Sequence, residues 1–154
     1  MSTADMIRAH SDVLLLVHVV FATVDRRRLL PSSMDAWLHA ELREQARRCQ
    51  VRLFGLGNAD DHVHAVLSLP ATIALAAFMK QLKGVSSREW NLQNPSRPLR
   101  WQSGYWARSI QTESLGRLLP YLRDQRTRHG SGLLEPDFEQ NEATLADNEV
   151  VVDA

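Results

Sequence analysis

VRLFGLGNADDHVHAVLSLP, residues 51–70, is the stretch of this chain that decides its fold. Two largely apolar runs, at 51–57 and 62–69, flank a short and mostly polar segment, which is typical of two strands joined by a turn. Pro70 follows the second run, and the strand should end there because a proline cannot donate a hydrogen bond to a strand ladder. We therefore predict a β-hairpin whose alternate side chains lie on opposite faces.

The segments on either side of the hairpin predict the rest of the architecture. Residues 13–23 are β-branched and almost continuously apolar, as in a central strand, and residues 105–111 have a further strand pattern. Apolar side chains recur at helical spacing over 33–50 and 72–90, and a last helix is predicted over 114–129. This order predicts an α+β fold, an antiparallel sheet with helices packed on one face.

The charge of the chain is unevenly distributed along its 154 residues. From Glu135 to the end there are 7 acidic residues and no Lys or Arg, so residues 1–134 carry all 18 basic residues against 11 acidic ones. Sixteen of the 18 are Arg, which is suited to bidentate phosphate contacts. We predict one basic domain at 1–134 and an acidic, disordered tail at 135–154, although a basic surface alone is more often simply solvated.

The sequence also predicts the compartment. The first residues, MSTADMIRAH, lack the pattern of a signal peptide, and no apolar run is long enough to span a membrane. The single cysteine, Cys49, excludes an internal disulfide and fits a reducing environment. We predict a cytoplasmic protein without a membrane partner.

Two histidines, His62 and His64, occupy alternate positions of the second hairpin strand. Their spacing puts both imidazoles on one face of the strand, while Val63 points to the other face. Such a pair alone is a weak sign of a metal site, because most are solvent-facing or hydrogen-bonded. Asp60 and Asp61, directly before the pair, could orient an imidazole or attract a cation.

Tyr121 and Gln125 stand one turn apart in the last predicted helix, so both side chains should share a face. Two imidazoles and an amide oxygen would suit Mn²⁺ or Mg²⁺ better than a structural zinc. A tyrosine beside such a metal could attack a phosphodiester and hold the cut strand covalently. Pro120 predicts a kink or a late helix start, which we interpret as a hinge for the tyrosine.

Five motifs occur in a fixed order over roughly residues 14–130. They are His18–Thr23 with Arg26, Asp61–His64 running into Leu67–Pro70, Lys83-Gly84 with Ser86-Ser87, Trp101–Tyr105, and Tyr121-Leu122 with Gln125 and His129. Together they resemble the single-tyrosine HUH transposases of insertion sequences and the related REP-associated tyrosine transposases. The last helix of that family often ends in a pair of histidines, whereas this chain has Arg128-His129.

This resemblance implies a ferredoxin-like domain with a catalytic C-terminal helix. It implies that His62, His64 and Gln125 bind a divalent metal, Mg²⁺ or Mn²⁺, and that Tyr121 is the nucleophile. The expected function is that of a DNA transposase, a single-strand endonuclease and strand transferase that cuts DNA flanked by hairpins through a 5′-phosphotyrosine intermediate. The expected partners are single-stranded DNA with a hairpin and a second copy of the chain, and DNA binding would place the protein on the nucleoid.

Basic and aromatic side chains of the body are the candidates for DNA contacts. Arginine and lysine would bind phosphates, and aromatic rings would stack on unpaired bases. The candidates are Arg26, Arg27, Lys83, Arg88, Arg100, Trp101, Tyr105 and Arg108. For Trp101 and Tyr105, a place in the core explains the sequence equally well.

Two other classes of function are compatible with these residues. A non-catalytic DNA-binding or regulatory protein could retain the fold after losing transposition, although the intact set of two histidines, tyrosine and glutamine disfavours it. A metal-dependent RNA or cyclic-phosphate hydrolase would not need a covalent tyrosine. A covalent adduct between protein and DNA would distinguish the nuclease from both.

Overall fold

A four-stranded antiparallel sheet organises the chain in this computed structural model, which describes residues 12–132 and Phe138. The strands are β1 (Leu16–Ala22), β2 (Arg52–Asn58), β3 (His62–Ser68) and β4 (Trp106–Ser109), in the spatial order β2-β3-β1-β4. The α-helices are α1 (Asp35–Arg48), α2 (Leu75–Gln93), α3 (Leu115–Arg123) and α4 (Gln125–Ser131). Short 3-10 turns lie at Val24–Arg26, Ser32–Met34 and Thr112–Ser114. The order β-α-β-β-α-β is ferredoxin-like, which confirms the predicted α+β fold.

The most apolar strand, β1, lies in the interior of the sheet as predicted. It pairs with β3 on one side and with β4 on the other. The predicted strand began at Val13, but the observed one begins at Leu16, because β3 ends at Ser68, directly opposite Leu16. Val13, Leu14 and Leu15 are exposed.

Different helices cover the two faces of the sheet. Helices α1 and α2 pack on the face that carries Phe21 and Val63, and this is the main core. Helix α3 packs on the opposite face, where Leu118 and Leu122 join Val66 in a second cluster. The prediction of helices on one face therefore holds for α1 and α2, and the C-terminal helix covers the face that carries the two histidines of β3.

The C-terminal helix predicted over 114–129 is divided into α3 and α4. Asp124 separates them with φ −96° and ψ 15°. Pro120 lies inside α3, so the interruption comes after Tyr121 and not before it. A proline at this position removes the hydrogen bond to the carbonyl of Gly116 and its ring crowds that carbonyl, yet the helix continues past it to Arg123. The tail predicted at 135–154 lies outside the described residues except for Phe138.

Two glycines of β2 allow α3 to approach the sheet closely. A Cβ atom at Gly57 would lie 1.6 Å from the carbonyl oxygen of Leu122, and one at Gly55 would lie 2.7 Å from Cδ2 of Leu119. The backbone of α3 therefore crosses β2 where a side chain is missing. This crossing sets the height of Tyr121 above the sheet.

We expect Gly57→Ala to lower the free energy of unfolding by about 1–3 kcal/mol or more, because the backbone of Leu122 must move away from the new methyl group. Chemical denaturation measures this loss. Gly84→Ala is the matched control, since Gly84 lies inside α2 with open space around its Cβ position, and alanine there should stabilise the helix by up to about 1 kcal/mol. A Gly57→Ala protein as stable as the parent would contradict the close approach.

Candidate active site

His62 and His64 lie side by side on the face of β3 that α3 covers. Both are buried, and their ring centroids are 5.1 Å apart. The strand places them there because residues at i and i+2 share a face, as the sequence predicted. They stand opposite Ala22 and Val20 of β1.

The Nδ1 atom of each imidazole has a hydrogen-bond partner. Nδ1 of His62 donates to Oδ1 of Asp61 at 2.7 Å, and Nδ1 of His64 shares a hydrogen bond with Nε2 of His18 at 2.9 Å. The bond with His62 lowers the pKa of the Asp61 carboxyl against the opposing effect of its partial burial, with Arg26 adding to the lowering. These contacts fix the orientation of both rings. Sequence reasoning anticipated Asp61 but gave no role in the site to His18, which it named only as the first residue of a motif in an apolar strand.

Tyr121 and Gln125 lie on the same side of the sheet as the two histidines. Both are buried, and the ring centroid of Tyr121 is 6.1 Å from that of His64. Nε2 of Gln125 donates to the backbone oxygen of Tyr121 at 3.3 Å. His129 closes the group, since its Nε2 lies 3.1 Å from Oε1 of Gln125 and its ring is 4.5 Å from that of His62. The structure therefore brings together the four side chains that the sequence singled out.

Two further side chains lie on the ring of Tyr121. The guanidinium of Arg128 stands over the ring, 4.6 Å from its centroid, and the ring of Phe138 meets its edge at 5.3 Å. Arg117 in turn lies over the ring of Phe138, with its guanidinium 4.8 Å from the ring centroid. The contact of Arg128 places a positive charge against the face of the tyrosine ring. Sequence reasoning assigned no role to Arg128 or to Phe138.

A cavity of 390 Å³ opens beside this group. It is lined by residues of the β2–β3 turn, of α4 and of the segment after β1, namely Arg28, Ala59, Asp60, Asp61, Arg126, His129 and Gly130. Within residues 12–132 and Phe138, no group of three or more His, Cys, Asp or Glu side chains is placed to hold a metal. The predicted metal set is of another kind, since its third member is the amide of Gln125.

The predicted arginine contacts lie on exposed or partly exposed parts of the surface. Arg26 and Arg27 follow β1 in an exposed turn, and Nη1 of Arg26 is 3.8 Å from Asp61 at the histidine end of the sheet. Arg88 and Arg100 are also exposed. Arg108 is partly buried on β4, and its guanidinium lies 4.8 Å from the ring centroid of Trp106.

The remaining three candidates make contacts inside the protein. Nζ of Lys83 donates to the backbone oxygens of Gln102 and Gly104 at 2.6 and 2.7 Å, and burial lowers the pKa of this ammonium. Nε1 of Trp101 donates to Oγ of Ser86 at 3.0 Å. Tyr105 packs in part against the main core.

Two motifs that are separate in the sequence are therefore joined by hydrogen bonds in the structure. The motif from Lys83 to Ser87 holds the loop from Trp101 to Tyr105 against α2. A cavity of 560 Å³ lies between them and is lined by Lys80, Lys83, Asn91, Trp101 and Tyr105 among others. The roles of these residues in DNA binding stay predictions.

Comparison with known proteins assigns the family. Residues 11–125 match the family model described as IS200-like transposases. The chain belongs to this family. Its members are transposases, a class of enzyme that cleaves and joins DNA in transposition and recombination. The resemblance inferred from the five motifs is therefore confirmed.

Relatives of this transposase are similar over most of their length. The transposase for insertion sequence element IS200 of Salmonella typhimurium is 25% identical over 108 residues, which are 70% of this chain and 71% of that protein. The corresponding transposase of Salmonella typhi matches to the same extent.

Two solved structures share the fold. A protein of Deinococcus radiodurans described as a transposase has a TM-score of 0.59 at 23% identity and covers 77% of this chain and 97% of its own. A REP-associated tyrosine transposase bound to a REP hairpin has a TM-score of 0.61 at 17% identity, over 84% of this chain and 75% of that one. At these identities, the likeness shows the fold alone. Among the helices of the described residues, none is long and apolar enough to cross a bilayer.

Proposed function

We propose that this transposase is a metal-dependent single-strand DNA endonuclease and strand transferase that cuts hairpin-flanked DNA through a 5′-phosphotyrosine at Tyr121. The observation that carries the proposal is the burial of a tyrosine, two histidines and a glutamine together on one face of the sheet, within a single chain. A nucleophile together with two imidazole nitrogens and an amide oxygen can carry out metal-assisted cleavage of a phosphodiester.

His62, His64 and Gln125 are the proposed ligands of a divalent cation, Mg²⁺ or Mn²⁺. Asp61 and His18 engage Nδ1 of the two rings, so each ring would bind the ion through Nε2. This donor set of two nitrogens and one oxygen fits such an ion and leaves coordination positions for phosphate and water. When bound, the ion would polarise the scissile phosphate and stabilise charge on the leaving 3′ oxygen.

Tyr121 supplies the nucleophile in this proposal. Its Oη attacks phosphorus and forms the bond between tyrosine and phosphate, while the bond from phosphorus to the 3′ oxygen breaks. The phenol gives up its proton and the 3′ oxygen takes one, so the cut leaves a 3′-hydroxyl and a 5′-phosphate on Tyr121. Attack by a 3′-hydroxyl on this phosphotyrosine reverses the step and joins the strands.

Single-stranded DNA with a hairpin is the proposed substrate. A structural neighbour is bound to a REP hairpin, and the body of this chain has an excess of arginine. The exposed side chains of Arg26, Arg27, Arg88 and Arg100 are the proposed phosphate contacts. Binding of this kind would place the protein on the nucleoid. We also propose that residues 135–154 form an acidic tail, of which Phe138 packs against the ring of Tyr121.

A two-fold dimer is the proposed assembly. The strand β1 is paired on both sides, so the edges of the sheet are β2 and β4. Pairing through one of these edges would protect its unpaired backbone groups. Light scattering at micromolar concentration should give twice the chain mass of 17.5 kDa. A fully active monomer would contradict the dimer.

Covalent capture of DNA tests the proposed function. The full chain is incubated with end-labelled single-stranded DNA that carries a hairpin, in the presence of Mn²⁺, and is then separated by denaturing electrophoresis. We expect a labelled band at the mass of the protein plus the bound strand. Retained DNA binding without such a band, across a set of hairpins from the flanks of the gene, would favour the non-catalytic DNA-binding protein.

A further inference from the structure

Arg126 makes polar contacts with three other segments of the chain. Its Nε and Nη2 atoms donate to Oδ2 and Oδ1 of Asp35, at 2.8 and 2.6 Å. Its Nη1 donates to Oδ1 of Asp60, and Nη2 also donates to the backbone oxygen of Leu30 at 2.7 Å. One guanidinium therefore joins α4 to the start of α1, to the turn between β2 and β3, and to the loop before α1. We call these four residues the Arg126 clamp.

The clamp has the geometry that only an arginine supplies. Two parallel hydrogen bonds to one carboxylate match the planar fork of a guanidinium, and a lysine cannot reproduce them. Asn58 extends the network by donating Nδ2 to Oδ1 of Asp35 at 3.0 Å. Burial alone would raise the pKa of Asp35, but the bonds from Arg126 and Asn58 hold it below its usual value. The carboxylate is thus ionised when it binds the guanidinium.

Helix α4 has no apolar side chain that packs in the core, and its other contacts include those of Arg128 with Tyr121 and of His129 with His62. It has seven residues, Gln125–Ser131, none of them apolar, and Gln125 is its one buried residue. A helix of this length is not stable by itself, and tertiary contacts must supply its stability. The interruption at Asp124 also separates it from the apolar residues of α3.

The clamp connects the two halves of the candidate metal site. Arg126 directly follows Gln125, and Asp60 directly precedes Asp61, which binds Nδ1 of His62. A shift of α4 relative to the turn between β2 and β3 would therefore move the amide of Gln125 relative to the imidazole of His62. We propose that Arg126 is a positioning residue, whose clamp on Asp35 and Asp60 holds the Gln125 amide against the two histidines for metal binding. This inference rests on the proposed function for the identity of the ligands.

Arg126→Gln tests the inference through metal binding by the full chain without DNA. Residues that orient metal ligands typically change affinity about 10- to 100-fold when they are replaced. We expect Mn²⁺ affinity, measured by titration with electron paramagnetic resonance detection, to fall by about 10-fold or more. Hydrogen exchange should speed up at the amides of α4. Arg126→Lys should recover only part of the affinity, because it keeps the charge but loses the fork.

Arg123→Gln is the matched control, since it removes an exposed arginine from the end of α3 and should leave both readouts unchanged. Asp60→Asn is the milder variant for use if Arg126→Gln does not fold, and it should shift both readouts in the same direction by less. Parent-like Mn²⁺ affinity in folded Arg126→Gln, with or without a lower melting temperature, would overturn the inference, because a purely structural role predicts that result.

A parent that binds Mn²⁺ but forms no covalent adduct would instead contradict the proposed function, and the affinity comparison would still decide the role of Arg126. A parent that binds no Mn²⁺ would overturn both.

Discussion

Replacing Tyr121 with phenylalanine should abolish the covalent adduct with hairpin DNA completely. The substitution removes only Oη, the atom that attacks phosphorus, so no tyrosine–phosphate bond can form. The ring keeps its place in the second cluster, with Val66, Leu118 and Leu122. We therefore expect folding and DNA affinity to change little, and denaturing electrophoresis with labelled DNA to show no band at the mass of the adduct.

Tyr105→Phe is the matched control, because Tyr105 is the other tyrosine of the chain and packs in part against the main core. It should form the adduct as the parent does. If Tyr121 were a core residue only, the loss of its hydroxyl would cost about 1 kcal/mol of stability and leave cutting intact. An adduct that persists in Tyr121→Phe and disappears in Tyr105→Phe would move the nucleophile to Tyr105.

The double substitution His62→Ala with His64→Ala should abolish cleavage in the same assay. It removes two of the three proposed ligands and therefore the ion that would polarise the phosphate. Binding to the hairpin should largely survive, because phosphate contacts from Arg and Lys dominate affinity for DNA. Titration with Mn²⁺ should show lost metal affinity in the variant.

Three measurements make this second prediction specific. A chelator should inhibit the parent as the substitutions do, and added Mn²⁺ should restore the parent but not the variant. Thermal unfolding checks that the variant folds, since both side chains are buried and their removal leaves a cavity. Parent-like cutting by a folded double variant would show that His62 and His64 hold no catalytic metal.

The first strand could be predicted from its almost continuously apolar run, and the faces of the second hairpin strand from the period of two of any strand. That period put His62 and His64 on one face and Val63 on the other, which the structure reproduces. The division of the C-terminal helix could not be predicted, since the spacing of Tyr121 and Gln125 fits one continuous helix. The local signal, Pro120, pointed to the wrong place, because α3 continues through it to Arg123 and the interruption comes at Asp124.

Several side chains that contact the site residues could not be identified from any local sequence pattern. His18 meets His64 across two paired strands, and Arg126 meets Asp35 from a segment 91 residues away. The roles of Lys83 and Trp101 were equally hidden, because each binds a residue of the other's motif or loop. Contacts of this kind depend on register and on the packing of one element on another, which residue types alone do not specify.

The sequence by itself determined the order of the elements, the side of β3 on which the histidines lie, and the residue types that the proposed chemistry needs. These properties follow from periodicities of a few residues, which local backbone geometry imposes. The tertiary structure decided how those residues meet. It places α3 against β2 through the missing side chain of Gly57, and it binds α4 to the start of α1 and to the turn between β2 and β3 through Arg126. Both contacts join segments far apart in the chain, so only the packed fold brings Tyr121 and Gln125 to the histidines.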